Sequence, residues 1–92
     1  MSGEFELRVG PAARRQLQRL PPRVAVAVVE FVTVTLVENP MRLTQPLVGV
    51  FAALRSARRG DYRVLVRVDE AAQTVLVVRI AHRAEVYRPP AP

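Results

Sequence analysis

The strongest constraint on the fold is a series of three apolar segments, separated by tight turns, in the second half of the chain. We predict strands at residues 50–57, 62–69 and 74–81, with turns at residues 59–61 and 70–73. Strands that are joined by turns this short run antiparallel. The second half of the chain therefore predicts an antiparallel meander.

The first half predicts one strand and two helices. Residues 5–9 alternate apolar and charged side chains, which is the period of a half-buried strand. Residues 11–20 begin with a proline and carry apolar side chains on one helical face. Residues 23–38 are rich in β-branched side chains that favour strands, but the length of the segment and the prolines at both ends favour a helix. We predict a helix there, followed by a connection at residues 41–49.

Together these segments predict a single α+β domain over residues 1–92, with an ordered core at residues 5–88 and a proline-rich tail at residues 89–92. The predicted order is strand, helix, helix and three-stranded antiparallel meander. Helices packed on one face of the sheet would leave the other face open for function.

The charge of the chain narrows the choice of partners. All 14 basic residues are arginines, and the net charge is +6. Guanidinium groups stay protonated and bind phosphate through two hydrogen bonds, so the chain suits a nucleic acid or an acidic protein. Because the chain has no cysteine and one histidine, no metal site and no cofactor is expected. Without a signal segment or an apolar stretch long enough to span a membrane, we expect a cytoplasmic protein.

Alternation along residues 62–69 separates a valine side from an arginine side. The valine side is expected to be buried, so Arg63 and Arg67 stand on the exposed face, and Arg79 falls on the same face or at an edge. These arginines are either solvated strand residues or a phosphate site, and the crowding of like charges at the hairpin favours the second. The predicted RNA- or phosphate-binding residues are Arg55, Arg58, Arg59 and Arg67.

The end of the last predicted strand carries His82, Arg83 and Tyr87, which are an imidazole, a guanidinium and a phenol. Such a set can perform acid–base chemistry on RNA. His82 alone and Tyr87 alone are more typical of structural roles, and the expected position of this set beside Arg63 on the adjacent strand is what favours catalysis. His82 is the candidate general base, because imidazole gains and loses protons near neutral pH.

The sequence SARRGDYRVLVRVD at residues 56–69, followed by RIAHRAEVY at residues 79–87, resembles the C-terminal half of RelE-type toxins in the RelE/ParE toxin–antitoxin superfamily. The order of elements from Phe5 to Arg88 is similar too. The resemblance implies a RelE-like fold and the toxin of a type II toxin–antitoxin system. It also implies a metal-independent endoribonuclease that cleaves mRNA on the ribosome, by attack of a 2′-hydroxyl on the adjacent phosphate.

The same resemblance implies roles for individual residues. Arg63 matches the arginine that stabilises the transition state, Arg83 the second arginine near the leaving group, and Tyr87 the tyrosine that stacks or orients. Well-studied relatives carry two lysines on the strand before the hairpin, where this chain has Leu54 and Ser56. Arginines that could replace their charge are Arg55, Arg58 and Arg59. The predicted catalytic residues are Arg63, Arg83, Tyr87 and His82.

The resemblance further implies three partners: the ribosome, mRNA and a cognate antitoxin. The antitoxin is expected to be RelB-like, acidic and partly disordered, and to wrap the toxin in a hetero-oligomer. The apolar excess of residues 23–38 fits such an interface, and it fits a wholly internal helix equally well.

Two other functions remain open. One is a ParE-like toxin that inhibits DNA gyrase without enzymatic activity, and Arg63, Arg83 and Tyr87 argue against it. The other is an unrelated RNA-binding domain, for which the aromatic content of 5% is low, because platforms for single-stranded RNA need several stacking faces.

Overall fold

A computed structural model describes residues 4–87, so the predicted proline-rich tail at residues 89–92 lies outside the described residues. The elements, in chain order, are β1 (Glu6–Val9), α1 (Pro11–Arg19), α2 (Pro22–Glu30), α3 (Pro40–Leu43), β2 (Gln45–Pro46), β3 (Arg55–Arg59), β4 (Tyr62–Asp69) and β5 (Thr74–His82). A π-helical turn (Phe31–Thr35) and a 3-10 turn (Leu36–Glu38) continue α2, and another 3-10 turn (Gly49–Phe51) precedes β3.

The strands form one five-stranded sheet in the order β1-β5-β4-β3-β2. The predicted antiparallel meander is confirmed as β3, β4 and β5. The first strand, β1, runs parallel to β5 at one edge, and the short β2 pairs with β3 at the other. The α+β fold with helices on one face of the sheet is therefore as predicted.

The core lies between the helices and one face of the sheet. The strands contribute alternate residues to this core. The exception is β5, whose register relative to β4 shifts opposite Leu65 and Val66. One residue of β5, Val78, has no partner in β4 at this bulge, so that Val77 and Ile80 both face the core. The buried side chains of this core are Ala13, Val28, Val32, Leu36, Ala57, Val64, Val66, Val75, Val77 and Ile80.

Residues 22–38 are helical, which confirms the prediction for a segment whose composition also favours a strand. Val28, Val32 and Leu36 recur every fourth residue and are buried, which is the spacing of a helix face packed against a sheet. Thr33 lies within the π-helical turn, and its hydroxyl donates a 2.7 Å hydrogen bond to the Val29 carbonyl in the preceding helix.

The strand predicted at residues 50–57 is wrong in its first half, because β3 begins only at Arg55. The backbone N–H of Leu47 donates to the carbonyl oxygen of Leu54 at 3.1 Å and closes a compact loop ahead of the strand. Gly49 permits the reversal with a φ of +66°.

The connection predicted at residues 41–49 also contains most of α3 and all of β2. They have four and two residues, which is too few for a hydrophobic period to appear in the sequence. The Asn39 side chain caps α3 by accepting the backbone N–H of Arg42 at 3.3 Å. These short elements form one wall of the site described below.

Candidate functional site

A cleft opens on the face of the sheet opposite the helices. Arg58 of β3 and Arg63 of β4 are paired in register, and the adjacent pair, Ala57 and Val64, is buried in the core. Because successive strand residues point to opposite faces, both arginine side chains stand on the open face. The cleft has a volume of about 480 Å³ and is lined by Leu43, Gln45, Pro46, Leu47, Ser56, Arg58, Arg63 and Tyr87.

A two-residue turn fixes the register of the two arginines. Arg59 pairs with Tyr62, which leaves a turn that begins at Gly60, whose φ is +61°. Glycine adopts this value without the steric penalty that a side chain brings. A slip of one residue in the pairing would move Arg58 or Arg63 to the helix-covered face.

The two guanidinium groups have donors to offer an anion. Arg63 donates through Nη1 to the backbone carbonyls of Gly60 and Tyr62, both at 3.2 Å, and these bonds hold the group near the hairpin. Its Nε and Nη2, and the whole guanidinium of Arg58, have no acceptor within residues 4–87. Both groups can therefore bind oxyanions through charge-assisted hydrogen bonds.

The last described residues fold back over the open face and bring Tyr87 into the cleft. Val86 is fully buried, and its carbonyl oxygen accepts a 2.7 Å hydrogen bond from Nη1 of Arg79. The Tyr87 hydroxyl donates to the Ser56 hydroxyl at 3.3 Å, and the Tyr87 ring meets Phe51 edge-on with centroids 5.8 Å apart. Arg79 thus anchors the segment that carries Tyr87.

Sequence reasoning missed these supporting contacts. Uninterrupted alternation from Val75 and Val77 would place Arg79 on the core face. Both the bulge at Val78, which moves Arg79 to the open face, and the return of the chain end to that face are tertiary features. Ser56 is paired with the open-face residue Leu65, and this position was recognisable only as the site of a lysine in relatives.

His82 and Arg83 lie away from the cleft. His82 pairs with Tyr62 on the helix-covered face, where the two rings meet edge-on at 5.6 Å, and its Nδ1 accepts the N–H of Ala84 at 3.2 Å. Arg83 sits at the hairpin, with its N–H donating to the Asp61 carbonyl at 2.8 Å and its Nε 4.0 Å from the Asp61 carboxylate. The predicted catalytic set is divided between the cleft and this second location.

The remaining predicted phosphate-binding arginines also occupy different places. Arg55 donates through Nε to the Thr44 hydroxyl at 2.7 Å and through Nη2 to the Thr44 carbonyl at 2.9 Å, which ties β3 to the preceding connection. Arg59 lines a separate hollow on the helix side with Arg23. Arg67 is exposed farther along β4. Among the predicted phosphate-binding residues, all of which the structure describes, Arg58 is the one that lines the cleft.

The cleft can bind an anion, but it has few groups for proton transfer. Its guanidinium groups can stabilise charge that develops on a phosphate, and the hydroxyls of Tyr87 and Ser56 can donate or accept hydrogen bonds. None of the described side chains that line it is a carboxylate or an imidazole. Residues 4–87 contain no cluster of His, Cys, Asp or Glu that could hold a metal ion, and no helix within them is long and apolar enough to span a membrane.

The chain is similar to known toxins over most of its length. Residues 7–87 match the model of a family described as the ParE toxin of a type II toxin–antitoxin system. Two toxins of Mycobacterium tuberculosis, named RelG and RelE, are 45% and 44% identical to it over 84 residues. These alignments cover 91% of this chain, together with 97% of RelG and 87% of RelE.

The fold of this chain is also similar to those of solved toxin structures. The toxin–antitoxin complex RelBE2 from Mycobacterium tuberculosis contains a chain with 42% identity and a TM-score of 0.85, over 92% of this chain and 98% of that one. The intact RelBE complex of Escherichia coli gives a TM-score of 0.67 at 15% identity, over 85% and 95% of the two chains. This second likeness extends to the fold alone.

Proposed function

The chain belongs to the RelE/ParE superfamily of type II toxins, and on that premise we propose that it is an endoribonuclease that cleaves mRNA on the ribosome. The observation that carries the proposal is the pairing of Arg58 with Arg63 on the open face, beside the Tyr87 hydroxyl. Its action on ribosomes would place it in the cytoplasm.

The paired arginines favour a polyanion as the substrate. Like charges directly opposite each other on neighbouring strands destabilise a sheet, and a bound phosphate relieves this repulsion. The cleft provides donors on both strands and no described carboxylate that would repel the substrate. A phosphodiester of single-stranded RNA fits this arrangement.

In the proposed reaction, the 2′-oxygen of a ribose attacks the adjacent phosphorus, the O2′–P bond forms and the P–O5′ bond breaks. The products are a 2′,3′-cyclic phosphate and a free 5′-hydroxyl. Arg58 and Arg63 bind the non-bridging oxygens, where negative charge builds up in the transition state. The proton leaves O2′ and a proton reaches O5′, and the hydroxyls of Tyr87 and Ser56 are the groups in the cleft that can orient or relay it.

Arg83 is proposed to join the site when RNA binds. Its ion pair with Asp61 is long, at 4.0 Å, and both side chains are mostly exposed, at 64% and 71%. Pairs of this kind contribute little stability, so a phosphate near the hairpin can compete for the guanidinium. His82 faces the helices, and in this proposal it shapes the turn after β5 and does not take the substrate's proton.

An acidic antitoxin is the proposed neutralising partner. The 42% identical chain from Mycobacterium tuberculosis was solved in a toxin–antitoxin complex. In this chain, Val26 of α2 and Val34 of the π-helical turn that continues it are 68% and 56% exposed, and the net charge is +6. An apolar patch on a basic protein fits an acidic amphipathic partner. We expect the isolated chain to self-associate more than its complex, and equal solubility of the two would count against this.

Primer extension on a translated message, after brief expression of the toxin, tests the proposed activity. We expect cuts that depend on translation, that vanish in Arg63→Ala and that persist in the control Arg15→Ala, whose side chain is exposed on α1. The alternative is inhibition of DNA gyrase, which the ParE description of the matching family favours. Intact messages together with loss of supercoiling by purified gyrase would select that alternative.

A further inference from the structure

The loop between β2 and β3 exposes two valines beside the cleft. Val48 is 84% exposed and Val50 is 94% exposed, and we call this pair the valine tip. A single exposed apolar side chain needs no explanation, but two within three residues form a small apolar surface at one point of a basic protein. Neither valine takes part in the proposed cleavage reaction.

Four backbone hydrogen bonds stabilise this loop. Its N–H groups donate to carbonyls of the same loop, and the bonds are Leu47 to Leu54 (3.1 Å), Phe51 to Val48 (3.3 Å), Ala52 to Gly49 (3.1 Å) and Leu54 to Phe51 (2.9 Å). The loop can therefore keep both valines in water without collapsing onto the core. A surface held in its contact conformation loses little entropy when a ligand binds.

The valine tip is continuous with the cleft on both sides. Leu47, which precedes it, lines the cleft. Phe51, which follows it, packs edge-on against the Tyr87 ring at 5.8 Å. A ligand that extends from the cleft along this loop would therefore reach the valines.

We propose that the valine tip contacts the nucleobases next to the phosphate that Arg58 and Arg63 bind. The inference rests on the proposed function, because that function places single-stranded RNA in the cleft. An unstacked nucleotide presents a charged phosphate and an apolar base face, and the site offers arginines for the first and valines for the second. Apolar side chains also insert between base steps in other nucleic-acid complexes. Because every base has such a face, the tip supports binding without selecting a sequence.

The test compares two short RNA probes that cannot be cleaved because their riboses are 2′-O-methylated. One carries bases, and the other has the same number of phosphates but abasic sugars. Binding of the intact toxin is measured by fluorescence anisotropy. The Val48→Ser/Val50→Ser variant is expected to bind the base-bearing probe about tenfold more weakly than the parent protein, with no change for the abasic probe.

The matched control is Val26→Ser/Val34→Ser, which removes two exposed valines from α2 and the π-helical turn that continues it, on the other side of the sheet. It should leave the binding of both probes unchanged, and thermal melting should show that both variants fold. Equal loss for the two probes, or no loss for either, overturns the proposal. Loss of antitoxin binding with normal RNA binding also overturns it, because the tip would then be a protein contact.

The outcome is separable from that of the proposed function. One outcome is that messages stay intact in the primer-extension assay while Val48→Ser/Val50→Ser weakens binding of the base-bearing probe alone. In that case the cleavage proposal fails and the role of the valine tip remains supported. If cleavage occurs and the two probes respond alike, the valine tip is refuted and the cleavage proposal stands.

Discussion

Arg58→Gln is expected to weaken RNA binding and to stabilise the folded protein at the same time. Arg58 has no hydrogen-bond acceptor within residues 4–87, so the substitution removes no hydrogen bond or ion pair in that part of the chain. Its register pairing with Arg63 places two positive charges near each other on one face. Removal of one charge therefore relieves repulsion in the free protein and removes attraction for the ligand.

The magnitude follows from the geometry of paired strands. Side chains directly opposite each other have Cβ atoms about 5 Å apart. Two like charges at a separation of about 6 Å repel by about 0.7 kcal/mol in water, and physiological salt reduces this by roughly half. For a domain of this size the melting temperature should rise by about 3–5 °C at low salt. Loss of one phosphate contact should reduce the slope of log K against log salt by about 0.7.

Two measurements on the same preparations check this reasoning. Thermal melting at low and high salt gives the stability change, and anisotropy titrations over the same salt range give the slope. Arg15→Gln on α1 removes the same charge from an exposed position away from the cleft and should leave the slope unchanged. A lower melting temperature for Arg58→Gln, or an unaltered slope, refutes the reasoning.

Three further substitutions test the scaffold of the site. In Thr44→Val, Nε of Arg55 loses the hydroxyl acceptor that lies 2.7 Å away, so the free energy of unfolding in urea should fall by about 1–3 kcal/mol. Thr44→Ser keeps the hydroxyl and should lower it by less. Equal losses for the two variants would contradict the role of the hydroxyl. Gly60→Ala should cost about 1–2 kcal/mol in the same assay, because its φ is +61°, and a neutral effect would mean that the turn relaxes. Arg79→Met leaves the carbonyl of the buried Val86 without its 2.7 Å donor, so it should cost about 1–3 kcal/mol in urea unfolding and slow RNA cleavage about 10- to 100-fold. Full activity would show that the anchor is dispensable.

The sequence predicts the sheet and its charged face well, because both depend on local patterns. Alternation along β4 assigns Val64 to the core and Arg63 to the open face, and the structure agrees. The helix at residues 23–38 is also correct, since proline brackets and length outweigh β-branched composition there. The predicted start of β3, at residue 50, is wrong. The loop closed by Leu47 and Leu54 is held by backbone hydrogen bonds, which no side-chain pattern reveals.

The position of His82 shows where sequence reasoning stops. Val75 and Val77 face the core, so uninterrupted alternation would place Arg79 on the core face and His82 on the open face beside Arg63. The bulge at Val78 reverses this assignment for the rest of β5.

The sequence by itself therefore determines an antiparallel meander, a charge of +6 and an open face that carries arginines. Only the tertiary structure decides which groups share the cleft. It moves His82 to the helix side, turns Arg79 into an anchor for Val86 and folds Tyr87 back beside Ser56. The physical reason is that one extra residue in a strand, and the return of the chain end over the sheet, are set by packing and hydrogen bonds between distant segments.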